Sequence, residues 1–164
     1  MTALLPYLQD EDENVRYAVV ETLGKLGSVD AVGSLLDLLE NADAGLQFTI
    51  FEALTAIGKG VPATRILPFV QNPLLRKSVF NCLGQLCDAT AIPVLLQGLS
   101  DPMRKNREVA LLSIGNLIKS LSPRDFPEVD PQTDQVVEHL LACLQHEKID
   151  YRRASVTCSV CSRM

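Results

Sequence analysis

Cys158 and Cys161 enclose two residues, the spacing shared by zinc-binding and redox-active cysteine pairs. A structural zinc site takes four ligands, and the chain has no second pair of this kind. A redox pair normally opens a helix, whose dipole lowers the thiol pKa. This one falls late in the helical pattern that starts near Tyr151. Cys82, Cys87 and Cys143 lie among apolar residues and read as core filler. Acid–base chemistry is as thinly supplied, with His139 and His146 the only histidines. A nucleophilic serine would need a Gly-x-Ser-x-Gly elbow, and a phosphate loop a run of glycines; neither occurs. These residues specify no reaction.

The elements that hold them are more informative. Four segments align, opening at Arg16 (RYAVVETLGKLG), Gln47 (QFTIFEALTAIG), Arg76 (RKSVFNCLGQLC) and Arg107 (REVALLSIGNLI). Their first residues are 31, 29 and 31 positions apart, the near-constant period of a repeat architecture. In the first segment Val19, Val20, Leu23 and Leu26 follow the opening residue by 3, 4, 7 and 10, the stripe of an amphipathic helix. The matching positions are Ile50, Phe51, Leu54 and Ile57, then Val79, Phe80, Leu83 and Leu86, then Ala110, Leu111, Ile114 and Leu117, all apolar.

A shorter apolar segment precedes each (TALLPYLQ, DAVGSLLDLLE, ATRILPFVQ, TAIPVLLQGLS), so the unit is helix A, polar turn, helix B. Pro6 and Pro68 lie deep enough in their A segments to bend a helix, whereas Pro93 stands near a helix start, where proline is tolerated. Gly27 and Gly58 follow the last apolar residue of their B helices, where a left-handed cap is wanted. Gly24, Gly84 and Gly115 share one interior position, filled by Thr55 in the second unit, at which a missing side chain admits a neighbouring helix. Cys82 shares its position with Thr22, Ala53 and Ser113, all small, which favours close packing there.

After Leu117 the rhythm breaks at Pro123, Pro127 and Pro131, an extended loop. A further A helix follows in TDQVVEHLLACLQ, and YRRASVTCSVC starts a fifth B helix. The expected fold is all-α, a right-handed α-solenoid of about five helix pairs. It forms one domain over 1–164, with units at 1–28, 29–59, 60–88, 89–122 and 123–164. Solenoid ends usually carry a polar outer face, which the last helix lacks. That implies a fragment of a longer protein or a partner at this end. Self-association through uncapped ends would involve Leu4, Leu5 and Leu8 or Val156 and Val160.

Composition excludes several classes. A chain of 164 residues, 47% hydrophobic and 21% charged, can build one globular domain. No apolar run approaches the ~20 residues of a membrane span. The start, MTALLPYLQDEDE, lacks a basic stretch and a cleavage site, and five cysteines without framework spacing favour a reducing, cytoplasmic setting. A net charge of −5 argues against nucleic acid as a partner. Residues 1–58 carry ten acids and two bases, net −8, and the remainder 13 bases and ten acids, net +3. Such a field can orient a partner.

The turns DENVR at Asp12, DPMRKNR at Asp101 and IDYRR at Ile149 each lead an arginine into helix B. They resemble HEAT-like repeats, and more narrowly the short variety named after phycobilisome (bilin) lyases. The resemblance covers nearly the whole chain and rests on four aligned units. It implies that the turn acid and the helix-opening base are structural, satisfying backbone groups and linking adjacent repeats. Gln47 departs from the pattern and implies an interruption in the second unit. His146 with Glu147 resembles one of the His-Glu pairs that bind iron in HEAT-like deoxyhypusine hydroxylases, which take several such pairs; here there is one. Fold transfers by this resemblance; function does not.

The B helices line the concave face in the repeats this chain resembles. Offsets 1, 5 and 9 from the opening residue point away from the core stripe and stack into rows. The first is Tyr17, Phe48, Lys77 and Glu108; the second is Glu21, Glu52, Asn81 and Leu112; the third is Lys25, Ala56, Gln85 and Asn116. Tyr17 and Phe48, flanked by Glu21 and Glu52, look like aromatic anchors with a polar surround. The leading expectation is a non-catalytic protein–protein interaction or scaffold module that binds a basic or amphipathic segment along this face, with no cofactor or metal. Two other readings stay open: a lyase-like or metal-dependent HEAT-repeat enzyme of the bilin lyase type, and a purely structural spacer.

Overall fold

The computed structural model describes residues 2–86 and 88–120. Cys87, the fifth unit over 123–164 and the residues assigned to it, including both histidines and the Cys158–Cys161 pair, lie outside them.

Each of the first two B helices starts where an aspartate can satisfy free backbone N–H groups. Asp12 accepts from the Asn14 N–H at 2.9 Å and opens α1 (Glu13–Lys25). Asp43 accepts from the N–H groups of Gly45 (2.8 Å) and Leu46 (3.0 Å) and opens α3 (Ala44–Ile57). Side-chain oxygens here replace the intrahelical acceptors that a first turn lacks. At the other end of α1, Gly27 takes φ +62°, its N–H bonds to the Gly24 carbonyl and the Ser28 N–H to that of Leu23. This is the two-bond left-handed closure that glycine adopts without strain.

The A segments are less regular. The first is a 3-10 helix, Thr2–Gln9. The second runs from a 3-10 turn at Val29–Ala31 into α2 (Val32–Asn41). The third is one turn, α4 (Ala63–Ile66), continuing as a 3-10 helix at Leu67–Gln71. The fourth runs from a 3-10 turn at Ala89–Ala91 into α6 (Ile92–Gly98). Pro6 and Pro68 therefore do not bend α-helices, as the sequence suggested; each sits in 3-10 winding. A proline removes the N–H that an α-helical bond needs; Pro68, at the second residue of its 3-10 segment, loses nothing by this, whereas Pro6 lies inside its segment.

The helices α1, α3, α5 (Arg76–Leu83) and α7 (Arg104–Ser120) pack in succession, each on the next. The A segments pack against them: Thr2–Gln9 on α1, α2 on α3, Leu67–Gln71 on α5 and α6 on α7. The result is an all-helical solenoid of stacked helix pairs, with no strand among the described residues. The apolar stripe forms its core. Val20, Leu23, Ile50, Phe51, Leu54, Val79, Leu83, Ala110, Leu111 and Leu117 are 0% exposed. Leu26 breaks the rule at 52%, because α1 ends at Lys25 and Leu26 rides on the closing turn. At the amino-terminal end Leu8 is 1% exposed and Leu4 and Leu5 are half-buried. Leu8 is thus not part of an uncovered apolar end.

Spacing between B helices is set by small residues. A Cβ on Gly24 would lie 2.7 Å from Ala53 Cα, and one on Gly84 2.7 Å from Ser113 Cα. The corresponding contact between α3 and α5 pairs Thr55 with Cys82, whose side chains hydrogen-bond. Burial pushes the Cys82 thiol up to about 11, so it remains a protonated packing group.

Candidate functional site

The residue opening each B helix is committed to the backbone behind it. Arg16 Nη1 donates to the carbonyls of Asp10 (2.7 Å) and Glu11 (3.2 Å), Arg76 Nε to that of Val70 (2.9 Å), and Arg107 Nη1 to those of Asp101 (2.7 Å) and Pro102 (3.1 Å). Gln47 supplies no charge, yet its Nε2 donates to the Leu39 carbonyl at 3.1 Å. The interruption expected at the second unit is therefore one of charge, while the backbone bond persists.

Arg76 also crosses to the next unit, its Nη1 reaching Asp101 Oδ2 at 2.7 Å. The Asp101 carboxylate, almost fully buried, further accepts from the Met103 N–H (2.8 Å) and Asn106 Nδ2 (3.0 Å). Burial alone would raise its pKa, but Arg76, the Met103 N–H and Asn106 together hold it below the ordinary 3.8. These groups are structural.

The outward rows divide under inspection. Tyr17 is half-buried and its hydroxyl donates to the Asp43 carboxylate, tying α1 to the start of α3. Desolvation, followed by the charges of Asp43 and Glu13, raises the phenol pKa. Asp43 is held low, chiefly by the Leu46 N–H, with the Tyr17 hydroxyl contributing. Phe48 is 39% exposed, and the ring pair in contact among the described residues is Phe51 with Phe69, edge-on at 5.8 Å. Tyr17 and Phe48 are not a stacked pair. Glu21 pairs with Lys25 at 3.2 Å, both exposed, and Glu108 with Arg104 at 2.9 Å. Leu112 is half-buried against the core, while Ala56, Gln85 and Asn116 are exposed.

Glu52, Lys77 and Asn81 are different. All three are exposed, and none has a hydrogen-bond or ion-pair partner among the described residues. They meet around a groove of about 240 Å3 between α3, α5 and α7, lined also by Phe51, Thr55, Ser78 and Val109. Periodicity named the three polar residues but missed the other four. Phe51 belonged to the core stripe, Ser78 and Val109 fell in neither the stripe nor the outward rows, and Thr55 gave a signal only as the side chain at a position where other units have glycine. A carboxylate, an ammonium, an amide and two hydroxyls beside the half-buried Val109 can bind and orient, but supply no paired nucleophile and base. Among the described residues no group of three or more His, Cys, Asp or Glu could hold a metal ion, and no helix is long and apolar enough to cross a membrane.

Comparison with known proteins bears on this architecture. Residues 1–67 match the family model for HEAT repeats. The crystal structure of an engineered protein superimposes with a TM-score of 0.63 at 17% identity, over 98% of this chain and 78% of that one. Another, also of an engineered protein, gives 0.65 at 16% identity over 98% of this chain. This chain spans about half of the latter, 47%. Identities this low speak to fold alone. No curated protein matches the chain. Residues 1–67 are thus similar to HEAT repeats, and the same helix pair continues in register to Arg107.

Proposed function

We propose that the chain is a non-catalytic interaction module whose B-helix face receives a segment of another protein in the groove between α3, α5 and α7. One observation carries this reading: Glu52, Lys77 and Asn81 stand unengaged around the half-buried apolar side chain of Val109. An apolar floor with a polar rim is the arrangement found at interface centres, where the rim sets orientation and the floor supplies most of the affinity. Elsewhere on the B-helix face the candidate groups are largely engaged: Tyr17 with Asp43, Glu21 with Lys25, Glu108 with Arg104. Phe48 remains as an exposed aromatic beside the groove's acidic side. The surplus of acid in residues 1–58 favours a segment that carries basic charge or is amphipathic. A reducing, cytoplasmic setting fits the odd, framework-free cysteine complement.

The test is site-specific photocrosslinking in the native cell. A photoreactive residue at Asn81 should capture a discrete peptide segment, and the product should be lost with Val109→Glu. The same group at Gln97, exposed on the A-helix side, should not capture that segment. Equal capture from both positions, or none from Asn81, would favour a purely structural spacer.

A further inference from the structure

Glu52 and Lys77 line the same groove from adjacent B helices, yet they do not form an ion pair with each other, and neither is neutralised by any other described residue. Nearby charges are engaged elsewhere: Glu108 by Arg104 on α7, Arg76 by Asp101, Glu21 by Lys25. The groove therefore presents an uncompensated anion on α3 and an uncompensated cation on α5, with the half-buried Val109 of α7 as its apolar contact. The same polarity runs through the molecule. Residues 1–58 are net −8, whereas residues 59–120 hold eight bases and three acids, net +5. The boundary falls between α3 and α5, where the groove lies.

Resting on the docking role proposed above, we infer that the groove selects a polypeptide segment that is itself dipolar: one basic and one acidic side chain on either side of an apolar residue. The basic group meets Glu52, the acidic group Lys77, and the apolar side chain covers Val109. Neighbouring helices pack about 8–10 Å apart, and an extended chain turns every second side chain to one face, so the basic, apolar and acidic side chains stand at alternate positions, the two charges about four residues apart. A uniformly basic segment would satisfy Glu52 and set a like charge against Lys77. A uniformly acidic one would do the reverse. A free zwitterionic small molecule carries the same charges, but tight small-ligand sites bury most of the ligand. Here the charged groups are exposed, and a chain extending across successive B helices is needed to gain contact area.

The experiment uses the full chain and three synthetic peptides that share a central leucine. One carries lysine and glutamate about four residues apart with the leucine midway, the second lysine at both positions, the third glutamate at both. Binding is read by titration at low and high salt. The mixed peptide should bind at least about threefold tighter than either uniform peptide at low salt, the scale of a single exposed ion pair gained and a repulsion removed, with the difference shrinking at high salt. Glu52→Lys should transfer the preference to the diglutamate peptide and Lys77→Glu to the dilysine peptide. The double exchange should restore preference for the mixed one, since a peptide can reverse its direction. All four proteins should keep the same helical circular dichroism, because neither residue has a partner to lose. If the dilysine peptide binds the unaltered protein as well as the mixed one, the dipolar assignment falls and the docking face stands. If preferences ignore both substitutions, the peptides bind elsewhere and the assignment also falls. If no peptide binds, the docking role of the groove falls with it.

Discussion

Asp101 shows how one side chain can be both a cap and a bolt. Its carboxylate is buried, so removing Arg76 leaves a desolvated charge with only the Met103 N–H and Asn106 for company. Because Arg76 itself is 22% exposed, water recovers part of the loss, and Arg76→Ala should cost about 2–3 kcal/mol at neutral pH. The folded pKa lies below the ordinary 3.8, so this stabilisation is fully present above that value and is lost as pH falls through the folded pKa. Urea midpoints of the two proteins should therefore differ at pH 7 and converge as the pH is taken well below 4; parallel curves would show that Arg76 does not act through this carboxylate. Gly24 is the second residue whose role can be weighed. Alanine there gains up to ~1 kcal/mol of helix propensity but sets a methyl 2.7 Å from Ala53 Cα. Overpacking should win, with Gly24→Ala net destabilising by about 1–3 kcal/mol in denaturant melts.

At the scale of elements, the B helices were legible because three independent features agree: the opening residue, the apolar stripe at 3, 4, 7 and 10, and the glycine near the end. The A segments were legible as elements and not as helix type. Whether Leu67–Gln71 winds as 3-10 depends on which N–H groups Pro68 leaves unbonded, a local balance that apolar periodicity does not record. The candidate face was half legible. Ridge spacing placed Glu52, Lys77 and Asn81 outward, but it could not show that Tyr17 is claimed by Asp43, since that contact joins two helices and depends on how α3 begins. The junction of α1 and α3 can be tested as a unit. Asp43 serves the Gly45 and Leu46 N–H groups as well as the Tyr17 hydroxyl, so Asp43→Ala should lower the melting temperature more than Tyr17→Phe. The double variant should fall by less than the sum, because both substitutions remove the same bond. Strict additivity would mean that the hydroxyl does not contribute to holding the helices together.

At the scale of the whole molecule, the order of packing, α1 on α3, α3 on α5, α5 on α7, makes stability a chain of nearest-neighbour interfaces rather than one shared core. Val20 in α1 and Ile114 in α7 are both buried, at 0% and 3% exposure, and two helices stand between their elements. Val20→Ala deletes two methyl groups and Ile114→Val one, and each should cost on the order of 1–2 kcal/mol. In a globular core such losses are felt throughout. In a solenoid each lowers the free energy of opening its own unit first, because a unit touches only its neighbours. Native-state hydrogen exchange should therefore show Val20→Ala reducing protection chiefly in α1, with α7 unchanged, and Ile114→Val doing the reverse. Global denaturation of the double variant should be additive to within about 0.5 kcal/mol. Protection that falls evenly along the chain for either substitution would mean the four units open as one body. The α3–α5 groove would then owe its shape to the ends of the array as much as to its own walls.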